Sequence, residues 1–464
     1  MTDYLNKPAA VVLRRFFMGR FYPIVVCAIV FLGHALGLEL YLNVINVLLT
    51  VLMLSVCDSL RPFIVVVSSY LYQISVAHSP SVPAQSDYLI TPPGVYVSSA
   101  LFVLAGAALV FFFIRNRLIT RGSLCALPMT FACAALSFAF VMNGVFGGSW
   151  TPSSLGYGLL NIVSFFGVFY IFYLGLRREE TAALVRYLAY VSALIATVLV
   201  FEVIWLYLFG GVFDASGEVV KDKILFGWGN WNSMGQNIVV LIPVIFYGAM
   251  NNRYPWFYFA VATLATGAAV LTLSRNALIF ALLSYVACVI IACFFGKRQR
   301  AFRIIAPTGA FLVGCGIALF WDKISTILSD LISRGFSDNG RFDLYKQGIE
   351  EFLSAPIFGK GFFGITTETF NFVDFFPQMM HNTPVQLLAS MGAVGLLCYL
   401  YYRYITVKLV LTRPSLEKTM LALSALVLVL QSLLDNFIFY VQPVIYYSIA
   451  LAICSKPSEA ELTG

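Results

Sequence analysis

Four residues of this chain have both the type and the setting to carry chemistry: His381, Arg275, Arg341 and Arg334. His381 stands directly before Asn382-Thr383-Pro384, and the QLLASMGAVGLLCYLYY that follows reads as an apolar helix. Thr383 is the expected N-cap and Pro384 the first helical residue, since a hydroxyl oxygen can accept a first-turn amide and proline has no amide to leave unpaired. The partly positive end of that helix then lies beside His381. It favours an anion and keeps an imidazole neutral, as a general base must be. The plain alternative is a histidine that only ends a loop at the interface. Arg275 ends LATGAAVLTLSR and is followed by NALIFALL. A guanidinium costs roughly 2.5–3.5 kcal/mol at mid-membrane, less near the interface, so it asks for an anionic partner; otherwise Ser274-Arg275-Asn276 is a turn between two spans. Arg334 and Arg341 flank an SDNG break, with Asp338, Asp343, Glu350 and Glu351 nearby, so both could be solvated loop charges. With Arg275 and His381 they sketch a site where two or three guanidiniums neutralise a diphosphate while a histidine handles a proton. Arginine suits phosphate because its planar fork donates two hydrogen bonds at once.

Further polar residues surround this set. Glu202, in VLVFEVIWLYLF, is an acid well inside an apolar stretch and could pair with Arg275, bind an acceptor or handle a proton. Asn232, Lys360 and Asn382 are additional candidates for acceptor or site contacts. Asp435 and Asn436 mark a turn for which a structural role is expected, and His34 and His78 read as interfacial or structural. The nine cysteines lie in or at the ends of apolar runs without a C-x-x-C pair, which argues against a disulfide framework or a thiolate metal site. There is no P-loop, HExxH or GxSxG pattern.

The elements that must position these residues follow from composition. Of the 464 residues 60% are hydrophobic and 11% charged, with a mean hydropathy of +0.87. Soluble proteins carry roughly 25% charged residues, so lipid is the solvent for most of this chain and an all-α polytopic membrane protein is expected. The basic N-terminal stretch leads into an apolar run without a small-residue cleavage site, which predicts an uncleaved first span rather than a secretory signal peptide. Apolar runs predict fourteen transmembrane helices, near 21–38, 41–57, 62–79, 95–114, 123–145, 156–176, 187–209, 234–250, 255–273, 276–295, 304–321, 383–403, 419–435 and 440–455. With both termini cytoplasmic, most of the 29 Lys and Arg fall in inside segments, as the positive-inside rule asks. The net charge of +7 is mostly this loop bias and is no sign of nucleic-acid binding. The exceptions, Lys221, Lys223, Arg275, Lys323, Arg334, Arg341, Lys346 and Lys360, gather at the outer side.

Two outer loops stand out. The first, 210–233, suggests a compact surface loop with a turn near Ser216-Gly217. The second, 322–382, predicts two amphipathic helices: Ile324, Ile327, Leu328, Leu331 and Ile332 share one face of the first, which lies on the membrane or caps the bundle. Phe342, Tyr345, Ile349, Phe352 and Leu353 line the second, which Arg341 begins and Ser354-Ala355-Pro356 ends. The whole chain, 1–464, reads as one membrane domain.

In order, SRNALI, GRFDLYKQGIEEFLSAPIFGKGF and HNTPVQLLASMGAVGLL resemble the shared core of the bacterial O-antigen ligase and O-antigen polymerase (Wzy-type) superfamily, over roughly 227–400. The resemblance implies a GT-C-like membrane glycosyltransferase, inverting at the anomeric carbon, at the periplasmic face of the bacterial inner membrane. Its donor would be a glycan on undecaprenyl diphosphate, its acceptor a glycan or glycolipid hydroxyl, with no cofactor or metal. By the matching positions Arg275 and Arg341 would hold the diphosphate, and His381 would activate the acceptor or orient the leaving group. The number of spans tilts the expectation toward a polymerase of O-antigen, capsule or exopolysaccharide, one that could work with a chain-length regulator. A ligase to lipid A–core is the alternative within the family. A flippase or transporter, or a membrane scaffold, is the alternative of another class, but the charges collect at one side instead of along a path through the helices.

Overall fold

The computed structural model describes residues 3–36, 38–73, 92–118, 127–214, 219–220, 223, 231–319, 321–322, 325, 340–365, 379–412 and 414–456. Backbone amides have no water to bond in a bilayer, and the chain meets that constraint with helices. Among the described residues no strand forms beyond a single bridge, Phe213 with Val219. In chain order the helices are α1 (Pro8–Met18), α2 (Phe21–Leu36), α3 (Glu39–Val56), α4 (Phe63–Gln73), α5 (Gly94–Arg115), α6 (Pro128–Met142), α7 (Pro152–Ile162), α8 (Val168–Gly175), α9 (Thr181–Phe209), α10 (Trp231–Asn251), α11 (Pro255–Leu271), α12 (Arg275–Phe294), α13 (Gln299–Leu319), α14 (Arg341–Ser354), α15 (Thr383–Leu411), α16 (Leu416–Leu434) and α17 (Val441–Cys454).

Each of the fourteen apolar stretches coincides at least in part with one of these helices. Among the described residues seven, α5, α7–α8 taken together, α9, α10, α12, α15 and α16, are long and apolar enough to cross a membrane, and α1 with α2 forms a further pair bent by 70°. The apolar helices at 40–56, 128–142, 255–271 and 441–454 are shorter. The protein is therefore a polytopic integral membrane protein. The first amphipathic helix of the long loop, Arg334, His78 and the turn at Ser216-Gly217 lie outside the described residues.

Basic loops come together at one end of the bundle. Arg61 bonds the Met18 carbonyl and Glu179, Arg178 the Asn116 carbonyl, Asn252 the Arg186 carbonyl, and Arg298 the Asn252 carbonyl. His381 is at the opposite end. Between the ends α10 is almost wholly enclosed. Its Gly235 and Gly248 let Thr272, Ala277 and the Tyr258 ring approach so closely that a Cβ would clash, the small-residue packing that substitutes for a hydrophobic drive in lipid.

Two departures from helical geometry shape the bundle. The α7–α8 span contains a π-turn at Val163–Gly167, and the Ser164 carbonyl there accepts from the Ser448 hydroxyl at 2.9 Å. More consequential is the break in α15 at Gly392, whose φ of 65° and ψ of −164° interrupt the hydrogen-bond ladder. The released groups are taken up by the loop that follows α14. Ala389 and Ser390 carbonyls accept from the Lys360 and Gly361 amides, at 2.8 and 2.9 Å, while the Ala393 and Val394 amides donate to Pro356 and Ile357. On its other side the loop meets the α6–α7 turn, through Gly144 N to the Phe358 carbonyl and Phe362 N to Asn143 Oδ1. Non-helical backbone survives inside a membrane bundle only with such complete pairing. Phe362 then seats among Phe140, Tyr157 and Phe439. Pro356, Gly359 and Gly361 thus wedge α14 against α15, which fixes Arg341 relative to His381.

Candidate active site

His381 sits between two anchored strings of residues. Asn382 caps α15, its Oδ1 accepting from Val385 N and its Nδ2 donating to the Leu433 carbonyl. The expected cap was Thr383, but its hydroxyl donates instead to the Ser432 carbonyl at 2.8 Å. A cap whose amide has both a donor and an acceptor ties two helices at once, which a hydroxyl directed at the neighbouring helix does not do. These bonds lock the first turn of α15 onto the last turn of α16. Immediately before the cap, His381 adopts φ = 50°, a left-handed conformation that costs a non-glycine residue roughly 1–2 kcal/mol. Around it, Met380 N donates to Gln386 Oε1 and the Tyr345 hydroxyl to the His381 carbonyl. Backbone strain held by its surroundings in this way clusters at functional positions.

The partner of His381 is Asp435, the C-cap of α16. Nδ1 of the imidazole lies 2.9 Å from Asp435 Oδ1, with the histidine side chain 35% exposed and the carboxylate 6%. Asp435 also accepts from Asn436 N at 2.8 Å and from Gln236 Nε2 at 3.2 Å. Burial by itself would raise its pKa. The hydrogen bond and charge of His381, with Arg341 and Gln236, outweigh burial and hold it below the ordinary carboxylate value. When the imidazole is neutral, a carboxylate so fixed accepts its Nδ1 proton and leaves Nε2 as an acceptor.

Arg341 is the first residue of α14, and its Nη1 donates to the Leu434 carbonyl at 2.8 Å, one residue before Asp435. The guanidinium therefore stands beside the dyad at the end of α16, where carbonyls carry the negative pole of the helix. Arg275 opens α12 after the Ser274 cap. Next to it, Asn276 Nδ2 donates to the carbonyl of Gln431, one turn before Asp435 on α16. Four elements thus converge on the end of α16: the starts of α12, α14 and α15, and Gln236 from α10.

The remaining sequence candidates are distributed differently. Asn232 lies one turn before Gln236, and so on the same side of α10. Lys360 belongs to the wedged loop, and its amide pairs with Ala389. Glu202 is buried in α9, two turns before its end. Asn382 uses its side-chain amide in capping and bracing. Among the described residues no group of three His, Cys, Asp or Glu is arranged to hold a metal ion. Sequence reasoning passed over Asp435 and Gln236 as site residues, reading the first as part of a structural turn. The available signal was an acid and a glutamine at the same end of otherwise apolar spans.

One known family matches part of the chain. Residues 259–400 match the family model for O-antigen ligase, a region that holds Arg275, Arg341 and His381 and stops before Asp435. No curated protein matches the chain. Over residues 259–400, about a third of its length, the chain is similar to the O-antigen ligase family.

Proposed function

We propose that the protein transfers a glycan from undecaprenyl diphosphate to a sugar hydroxyl, at the periplasmic face of the bacterial inner membrane, as a metal-independent inverting GT-C-like enzyme with fourteen membrane crossings. The hydrogen bond between His381 and Asp435 carries this reading. With Nδ1 engaged, Nε2 can accept the proton of the acceptor hydroxyl. The hydroxyl oxygen attacks the anomeric carbon, the bond from that carbon to the diphosphate oxygen breaks, and its electron pair leaves with undecaprenyl diphosphate. Arg341, together with Arg275 and Arg334, would neutralise that leaving group. Asp435 would stabilise the imidazolium that forms.

The acceptor in this proposal is the hydroxyl of another lipid-linked repeat unit, which makes the enzyme a polymerase of O-antigen, capsule or exopolysaccharide. The fourteen apolar segments support it. The family match favours a second reading, ligation to lipid A–core. The test supplies purified protein in lipid with an undecaprenyl-diphosphate-linked repeat unit and reads the products on a gel. A ladder supports polymerisation, and a product formed only with added lipid A–core supports ligation. Movement of the lipid-linked glycan across the bilayer with neither product rules out both in favour of a transporter.

A further inference from the structure

The faces of α14 divide in three. At about 100° per residue, Phe342, Ile349 and Leu353 fall within an arc of about 40°. Asp343, Glu350 and Ser354 centre about 100° to one side of that arc, and Gly348, the buried contact, about 120° to the other. Gly348 is so close to Val385 and Met380 that it has no room for a side chain, so that flank is pressed against α15. The acidic flank is exposed, as water-facing residues are. The apolar edge is exposed too: Phe342 is 70%, Leu353 68% and, just beyond the helix, Ile357 54% accessible.

The depth of that edge follows from the wedged loop. Pro356 and Ile357 pair with Ala393 and Val394, which lie about 15 Å along α15 from its first residue. The hydrocarbon core of a bilayer is about 30 Å thick, so with the start of α15 at the headgroups the C-terminal end of α14 reaches below them into the leaflet. Phe358 continues the descent, its ring against Phe138 of α6 and Phe146. Phe131 and Phe138, seven residues apart on α6, are exposed along the same side of the bundle. The apolar edge of α14 therefore leads, through Phe358, to exposed aromatic rings on α6.

We propose that α14 is an obliquely immersed interfacial helix whose Phe342–Ile349–Leu353 edge is covered by the acyl chains of the leaflet at the His381 end, with its acidic flank in water. Lys346, between the two, has the reach to place its ammonium at the headgroups. The helix is then an anchor that sets the depth of Arg341, and not a soluble lid. Coverage of this edge by lipid does not depend on the transfer reaction.

The test attaches an environment-sensitive NBD fluorophore to the full-length protein in lipid nanodiscs, at Ile349→Cys, Leu353→Cys and, as the water-side reference, Glu350→Cys. Unsubstituted protein supplies the background from native cysteines. Doxyl-labelled phosphatidylcholine should quench positions 349 and 353 several-fold more than 350. Maleimide labelling at 349 and 353 should be ~10-fold slower or more, because an apolar setting raises a thiol pKa by at least about one unit. Equal quenching at all three positions overturns the proposal. Shielding of 349 and 353 without doxyl quenching also overturns it, assigning the edge to protein contact. All three sites are exposed, so the substitutions leave packing intact, and matching elution from size exclusion checks this.

Discussion

His381 and Asp435 are 54 residues apart in the chain and 2.9 Å apart in space, joined because the first turn of α15 is bonded to the last turn of α16. The carboxylate is the more buried partner, so it is the imidazole that presents its free nitrogen to the surface.

Replacing Asp435 with Asn keeps the shape but removes the charge that steadies an imidazolium and lets the amide favour the wrong tautomer. Glycan transfer should fall ~10²–10⁴-fold at saturating donor. Initial rates alongside a thermal melt separate this loss from unfolding. A rate within threefold of wild type would remove the dyad from the mechanism.

For His381 the informative substitution is Asn, which tolerates the left-handed backbone better than other side chains. His381→Asn should elute and melt close to wild type yet lose transfer to a comparable degree. His381→Ala, which meets the full strain of φ = 50°, should melt lower than the Asn variant.

At Arg341, lysine retains the charge and loses the two-donor fork. KM for the lipid-linked donor should rise about 10-fold or more, with a smaller change in kcat, since a charge-assisted hydrogen bond contributes about 1.5–3 kcal/mol. Steady-state kinetics with varied donor decide it. A loss confined to kcat would point to a role at the transition state alone.

Stability should depend on pH through Asp435. Its folded pKa lies below its unfolded value, so its contribution is fully present above the ordinary carboxylate range and is lost as pH falls through the depressed value. Removing Arg341 takes away one of the cations responsible, so Arg341→Ala should shift that loss to higher pH. Asp435→Asn should flatten this part of the profile. Melting temperatures between neutral and acidic pH read both.

The wedge makes a structural prediction. A Cβ at Gly359 would lie 2.4 Å from the Ser390 carbonyl carbon, and one at Gly392 2.3 Å from the Ile357 oxygen, both at positive φ. Alanine at either should prevent the loop from closing on α15 and sharply lower the yield of folded protein. Gly148 also has positive φ but open space around it, so Gly148→Ala should cost only about 1 kcal/mol. Fluorescence-detected size exclusion distinguishes these outcomes.

Much of this molecule was legible in its sequence because the signals are local. A run such as 276–295 or 419–435 is apolar through its own residues, and lipid accepts little besides a helix there. The amphipathic register of α14 and its end at Ser354-Ala355-Pro356 are likewise local, set by periodicity and by proline's effect on its predecessor. Arg275, Arg341 and His381 could be singled out because charge and imidazole are conspicuous against such a background. What tertiary structure alone decided is which helix ends meet. Asp435 reads as a turn residue because nothing within its own span refers to His381, and nothing in its own segment singles out Gln236. The break at Gly392 was also hidden, since GAVGLL is compatible with a continuous helix until the Pro356–Gly361 loop supplies the hydrogen bonds that replace the ladder. Hydropathy fixes how each segment meets the solvent. The pairing of segments depends on side-chain amides and released backbone groups, which find their partners only once the bundle has packed.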